Sequence, residues 1–285
     1  MPEHYGQNDR LIDLHTHTTA SDGSMTPTEL VRHAFEKGLA AIAITDHDSM
    51  EGIDQALEEG KTLGIEVIAG VEISVDFDPE MHLLGYFFNG HYDSIQKTLE
   101  ELRQMREQRN PRIISKLNEL GLDITMDEVN EIAGVVNVGR PHIARTLMVK
   151  GYVGSIAEAF EKYLSTGRPA YFKKDKLTPE EGVGLIARSG GVPVLAHPIY
   201  LDMAGVDLEQ LLPRLKAAGL KGIEAIYTEN TEEQTERLLK LAGKNGLAVS
   251  GGSDFHGSYK PYIEIGVGRG PLRIPYELLD GLRRG

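Results

Sequence analysis

The chain has 285 residues, 40% of them hydrophobic and 26% charged, with 32 glycines and 13 prolines, a composition that excludes a disordered, collagen-like or membrane-spanning protein. Acidic residues number 43 against 30 Lys plus Arg, a formal charge of −13, so the general field repels long duplex nucleic acid but tolerates a small anion where cations gather locally. The absence of cysteine excludes disulfides, thiolate metal sites and a cysteine nucleophile.

In chain order, the first strand is expected at Leu11–His17. Met1–Arg10 before it is polar, with no apolar signal segment, and no run reaches transmembrane length, so the expected location is the cytoplasm. Thr26-Pro27-Thr28-Glu29 then opens an amphipathic helix with a hydroxyl three residues before Glu, the pattern of a capping box. Strands follow at Ala41–Thr45, Val67–Ile73 and His82–Phe88. From 93 to 174 the pattern is helical only, with cap signals at Thr125…Glu128 and Ser155…Glu158. Helices opened by Thr178-Pro179-Glu180-Glu181 and Thr231-Glu232-Glu233-Gln234 then alternate with strands at Val192–Ala196, Gly222–Tyr227 and Leu247–Ser250. Seven strands joined by helices, several apolar along their whole length, predict a parallel sheet buried on both faces. The expected fold class is α/β, a closed or distorted (β/α) barrel of residues 1–92 and 175–285 with a helical cap inserted at 93–174.

Histidines and carboxylates recur at the ends of these strands: His15-Thr16-His17, Asp46-His47-Asp48, His82 and Asp254-Phe255-His256, with Asp22, Glu72 and His197 in similar positions. Residues two apart in a strand share a face, so His15 and His17 project together, as Asp254 and His256 do if Gly252–His256 stays extended. Any one such pair is as readily explained by exposure or ordinary hydrogen bonding. Nine potential ligands at the C-terminal mouth of one barrel are better explained by a metal site. Nitrogen and oxygen donors without thiolate suit Zn2+, Mn2+ or Fe2+.

The motifs Leu14-His15-Thr16-His17-Thr18, Ser21-Asp22-Gly23, Ile44-Thr45-Asp46-His47-Asp48, Gly70-Val71-Glu72, His82-Leu83-Leu84-Gly85-Tyr86, Ala196-His197-Pro198 and Gly252-Ser253-Asp254-Phe255-His256 closely resemble those of the polymerase and histidinol phosphatase (PHP) family. The resemblance spans most of the chain and implies a distorted (β/α)7 barrel. It also implies three divalent ions: one on His15, His17, Glu72 and Asp254, a second sharing Glu72 with His82 and His197, a third on Asp22, His47 and His256. The implied reaction is phosphoester hydrolysis by a metal-bridged hydroxide, with no covalent phosphoenzyme. The proton for the leaving group would come from a metal-bound water or from His142.

The insert carries Gly139-Arg140-Pro141-His142-Ile143-Ala144-Arg145, then Arg168, Tyr171, Phe172, Lys173 and Lys174. Arg140, Arg145, Arg168 and Lys174 are candidates to clamp a substrate phosphate, whereas Arg103, Arg106 and Arg109 read as a solvated helix face. Tyr171 and Phe172 are read either as a base-stacking pair or as packing, and Asp13 and Asp46 as partners that orient ligand imidazoles, Asp46 alternatively serving the backbone turn. The Gly-Arg-Pro-His segment resembles a PHP branch that acts on nucleotides, which implies a phosphatase for AMP or for the 3′-phosphate of nucleoside 3′,5′-bisphosphates. The alternatives are a 5′–3′ exoribonuclease on short RNA, a histidinol-phosphate-type phosphatase, an amidohydrolase-like C–N hydrolase and a noncatalytic metal-stabilised interaction domain.

Overall fold

The computed structural model of the protein describes residues 10–133, 139–172 and 177–284. The chain divides into two compact units, Met1–Leu99 with Lys176–Gly285, and Glu100–Asp175. No helix among the described residues is long and apolar enough to cross a membrane.

The first unit is built on one seven-stranded sheet in sequential order: β1 (Ile12–Asp13), β2 (Ala41–Ile44), β3 (Glu66–Val75), β4 (Met81–Phe87), β5 (Val192–Leu195), β6 (Gly222–Tyr227) and β7 (Ala248–Gly252). Around it lie α1 (Pro27–Glu36), α2 (Ile53–Leu63) and the start of α3 (Asp93–Glu119). The second unit continues α3 and adds α4 (Met126–Ala133), α5 (Arg140–Val149) and α6 (Ile156–Ala159). The first unit resumes with α7 (Pro179–Arg188), α8 (Ile199–Met203), α9 (Leu208–Ala218), α10 (Glu232–Asn245) and α11 (Leu278–Arg283). The expected capping boxes form at α1, α7 and α10, where Thr26, Thr178 and Thr231 exchange hydrogen bonds with Glu29, Glu181 and Gln234.

The period of two in β2 sorts its side chains by size. Ala41 and Ala43 pack with Ile12, Leu14, Leu84, Tyr86 and Val194, while Ile42 and Ile44 pack with the helix residues Leu30, Val31 and Ile53. Tyr86, fully buried on β4, donates its hydroxyl to the Leu14 carbonyl at 2.9 Å and lies 2.8 Å from Ser250 Oγ. One side chain thereby ties β4 to both ends of the sheet. The ends themselves join where the Leu14 N–H donates to Gly251, the Asp254 N–H to His15 and the His17 N–H to Phe255, which makes the α/β sheet a nearly closed barrel.

Two expectations are corrected. The sheet is not parallel throughout, because β4 runs antiparallel to both β3 and β5. Only residues 76–80 separate β3 from β4, too short for the crossover of a dozen or more residues that a parallel neighbour needs. The first strand is also shorter than Leu11–His17, since its regular pairing with β2 ends at Asp13. Beyond that point a side chain joins the pairing: the Thr16 N–H donates to Thr45 Oγ1 at 3.1 Å while the Thr45 N–H still donates to the Thr16 carbonyl at 3.0 Å.

Closure leaves no room at Gly252, where an added Cβ would sit 2.1 Å from His15 Cβ and 2.7 Å from His15 N. Gly252→Ala is expected to destabilise the protein by on the order of 3 kcal/mol, an overpacking cost, read as a lower midpoint in urea denaturation.

Candidate metal centre

The mouth of the barrel is organised around Glu72, which is 1% exposed in the middle of β3. Its Oε1 lies 2.9 Å from His82 Nδ1 and 2.9 Å from His197 Nε2. Its Oε2 lies 3.1 Å from His15 Nε2, 3.3 Å from His17 Nε2 and 3.2 Å from His47 Nδ1. Strand pairing explains the convergence: His47 bridges to Glu72 alongside β3, and the Glu72 N–H donates to Asp46 while the Asp48 N–H donates back to Glu72. Thr16 pairs in parallel with Phe255, which sets the flanking His15 and His17 beside the flanking Asp254 and His256.

Asp254 Oδ1 lies 3.2 Å from His17 Nε2 and 3.3 Å from His256 Nδ1. Asp22, whose side chain is 49% exposed, stands 3.5 Å from His17 Nδ1, 3.8 Å from His47 Nε2 and 3.4 Å from His256 Nε2. The structure therefore brings all nine sequence-derived candidates together, buried at Glu72 and open to solvent at Asp22. Their donor atoms form three overlapping groups within 4.8 Å: His17, Asp22, His47 and His256; His15, His17 and Glu72; His47, Glu72 and His82.

The segment Gly252–His256 does not stay extended as expected. Asp254 takes φ +56°, with Asp48 at +50° and His197 at +25°, left-handed values that non-glycine residues adopt at a cost of order 1–3 kcal/mol each. Each is held by its own N–H: Asp254 to the His15 carbonyl at 2.9 Å, Asp48 to the Glu72 carbonyl at 2.8 Å and His197 to Glu224 Oε2 at 2.7 Å.

Charge inside the cluster is mutually supporting. Burial pushes the Glu72 and Asp254 carboxyls up, but the surrounding imidazoles outweigh it and hold both well below the usual carboxylate range. Burial likewise opposes charge on His17, yet contact with Asp254 and Glu72 raises it to about 9. His15 Nε2, both ring nitrogens of His17 and His47 Nδ1 are buried and make no hydrogen bond. Unsatisfied buried polar atoms cost about 1–3 kcal/mol each, and four in one place, facing carboxylates, suit divalent cations bound by nitrogen and oxygen.

Other expectations are revised. Asp13 does not orient an imidazole, because its carboxylate accepts the backbone N–H groups of His15, Ser253 and Gly266. Asp46 serves the turn, accepting from the Thr18 N–H, the Thr18 hydroxyl and the Ser21 hydroxyl at 2.6–2.7 Å, and so anchors the loop that carries Asp22. Three contributors escaped the sequence reading. Glu224 Oε1 lies 3.0 Å from His15 Nδ1, and Asp254 Oδ2 accepts from the Tyr227 hydroxyl at 2.9 Å and Lys260 Nζ at 2.8 Å. A glutamate inside the apolar run Gly222–Tyr227 was the available signal; Tyr227 and Lys260 had none.

Within the helical unit, Arg140 Nη1 donates to the Leu164 carbonyl at 2.8 Å, and its guanidinium lies 5.3 Å from the Tyr171 ring centroid and 5.8 Å from that of Phe160. His142 Nδ1 accepts the Gly139 N–H at 3.0 Å. Arg145 and Arg168 are exposed, and Lys174 lies outside the described residues. Arg109 is not on a solvated face as expected: it is 8% exposed and donates to the Phe172 carbonyl, while the side chains of Arg103 and Arg106 lie outside the described set. Phe172 packs on the unit's apolar core beneath Arg112.

The PHP domain model matches residues 13–250. A 5′-3′ exoribonuclease of Haemophilus influenzae is 36% identical over 87% of this chain and 90% of its own length. A 3′,5′-nucleoside bisphosphate phosphatase of Chromobacterium violaceum is 32% identical over 86% of this chain and 87% of its own. The solved structure of a Bifidobacterium adolescentis protein described as a metal-dependent phosphoesterase superposes with a TM-score of 0.66 at 31% identity, covering 95% of this chain and 94% of that one. The chain belongs to the PHP family. It is a metal-dependent hydrolase of phosphoester bonds.

Glu72→Gln keeps the volume but replaces the shared acceptor with an amide. The expected outcome is loss of bound metal by elemental analysis, with the circular dichroism spectrum retained.

Proposed function

We propose that the protein is a phosphatase of small nucleotides, removing the phosphate of AMP or the 3′-phosphate of nucleoside 3′,5′-bisphosphates. The observation that carries this reading is the buried Glu72 carboxylate within 3.3 Å of five imidazoles, flanked by Asp254 and by the Asp22, His47 and His256 group. The nine side chains are assigned to three divalent ions, Mn2+, Fe2+ or Zn2+: His15, His17, Glu72 and Asp254 to one, Glu72, His82 and His197 to a second, Asp22, His47 and His256 to a third. Ions held there would supply Lewis acidity toward a phosphoryl group and would lower the pKa of water. They also turn a −13 protein locally cationic, which admits an anionic substrate.

The chain's own residues do the rest. Tyr227 and Lys260 occupy Asp254 Oδ2, so only Oδ1 faces the histidines. Arg140, Arg145, Arg168 and Lys174 are proposed to recognise the substrate's phosphate. His142, the proposed proton donor, has Nδ1 engaged by the Gly139 N–H, so the proton of its neutral ring sits on Nε2. A second reading, a 5′–3′ exoribonuclease on short RNA, is favoured by the name of the Haemophilus influenzae relative.

The test is a panel of 5′-, 3′- and 3′,5′-phosphorylated nucleosides, histidinol phosphate and short 5′-phosphorylated RNA offered to the metal-loaded protein. A kcat/KM at least tenfold higher for the nucleotides is expected, and a preference for RNA would move the assignment to the second reading. His15→Ala and Asp254→Ala should abolish turnover in folded protein. Arg140→Ala should lower kcat/KM by the worth of a charge-assisted hydrogen bond, about 1.5–3 kcal/mol.

A further inference from the structure

Six of the seven strands lead into candidate ligands: His15 and His17 follow β1, His47 follows β2, Glu72 lies on β3, His82 on β4, His197 follows β5, and Asp254 and His256 follow β7. Among the described residues β6 brings none, yet it places a fully buried carboxylate, Glu224, against two of the others. Glu224 Oε1 lies 3.0 Å from His15 Nδ1, and Oε2 accepts the His197 backbone N–H at 2.7 Å. Both oxygens are engaged, one on a side chain 209 positions away and one on a left-handed turn. A buried carboxylate needs such partners, but these partners in turn need the carboxylate.

We propose that Glu224 is a positioning residue: Oε1 fixes the His15 ring with its proton on Nδ1, Oε2 holds the turn at His197, and one side chain on β6 thereby aims two imidazoles at Glu72. The carboxylate only accepts hydrogen bonds, so a neutral His15 ring facing it carries its proton on Nδ1 and turns an Nε2 lone pair toward Glu72 Oε2, 3.1 Å away. An Nε2 lone pair so placed is the donor that a divalent cation would require of His15. At His197, φ +25° is tolerated because a short, charge-assisted bond holds the N–H, and the ring is then delivered 2.9 Å from Glu72 Oε1. This rests on the reading of the cluster as a metal centre.

The test compares full-length wild type, Glu224→Gln and Glu224→Ala, each loaded with Zn2+, in three measurements: zinc retained against a chelator, histidine tautomers by long-range 1H–15N correlation, and thermal unfolding. The amide of Glu224→Gln has one acceptor oxygen where two donors must be met, so His15 or His197 loses its partner. Both variants are expected to hold zinc about 10- to 100-fold more weakly than wild type, with Glu224→Gln folded and either the His15 Nδ1 proton signal or that of the His197 amide displaced. If Glu224→Ala does not fold, the isosteric Glu224→Gln decides alone. A folded Glu224→Gln with wild-type zinc affinity and both signals unmoved overturns the assignment while leaving the metal centre intact. Wild-type protein that takes up none of Zn2+, Mn2+ and Fe2+ overturns the metal-centre reading, and the role of Glu224 with it.

Discussion

The structure depends on burying one carboxylate among imidazoles. Glu72 is 1% exposed, and an isolated charge there would carry a desolvation cost of several kcal/mol. It is tolerated because five histidines carried by four strands surround it. Those histidines in turn hold charge or lone pairs in a dry place only because Glu72, Asp254 and Glu224 face them. Each member of this set lies against an oppositely charged or accepting partner from another strand, so the barrel mouth is specified by contacts between strands rather than within one.

The surrounding backbone shows what that convergence demands. Three non-glycine residues at the mouth adopt left-handed conformations, and each donates its N–H to a neighbouring strand end or to Glu224. Strain is thus confined to positions where a second strand supplies the restraint. Below the mouth, packing follows the ordinary size sorting of Ala41, Ile42, Ala43 and Ile44.

The strands and the capped helices were legible because hydrophobic periodicity and capping residues are local signals. The direction of β4 was also present, in the five residues between Val75 and Met81, but it is a property of loop length that a strand-by-strand reading passes over. The end of regular pairing at Asp13 was not legible, since it depends on the Thr16 N–H turning to the hydroxyl of Thr45, 29 positions away. At the site, histidines and aspartates clustered in short motifs announce themselves. Glu224 did not: its partners lie far away in the chain or on the backbone, and only its charge within an apolar run hinted at them. Arg109 failed for the complementary reason, because alternating charges mark a solvated face unless a distant carbonyl, here that of Phe172, claims one of them.

Barrel closure has a temporal consequence. The contacts that shut the sheet join Leu14, His15 and His17 to Gly251, Asp254 and Phe255, so the two edges of the cluster enter the growing polypeptide at nearly opposite times. A nascent chain lacking its final strand exposes an unpaired sheet edge and only part of the donor constellation. The mouth is therefore complete only when both ends of the fold are present, because His15 and His17 find their backbone partners in residues 251–255.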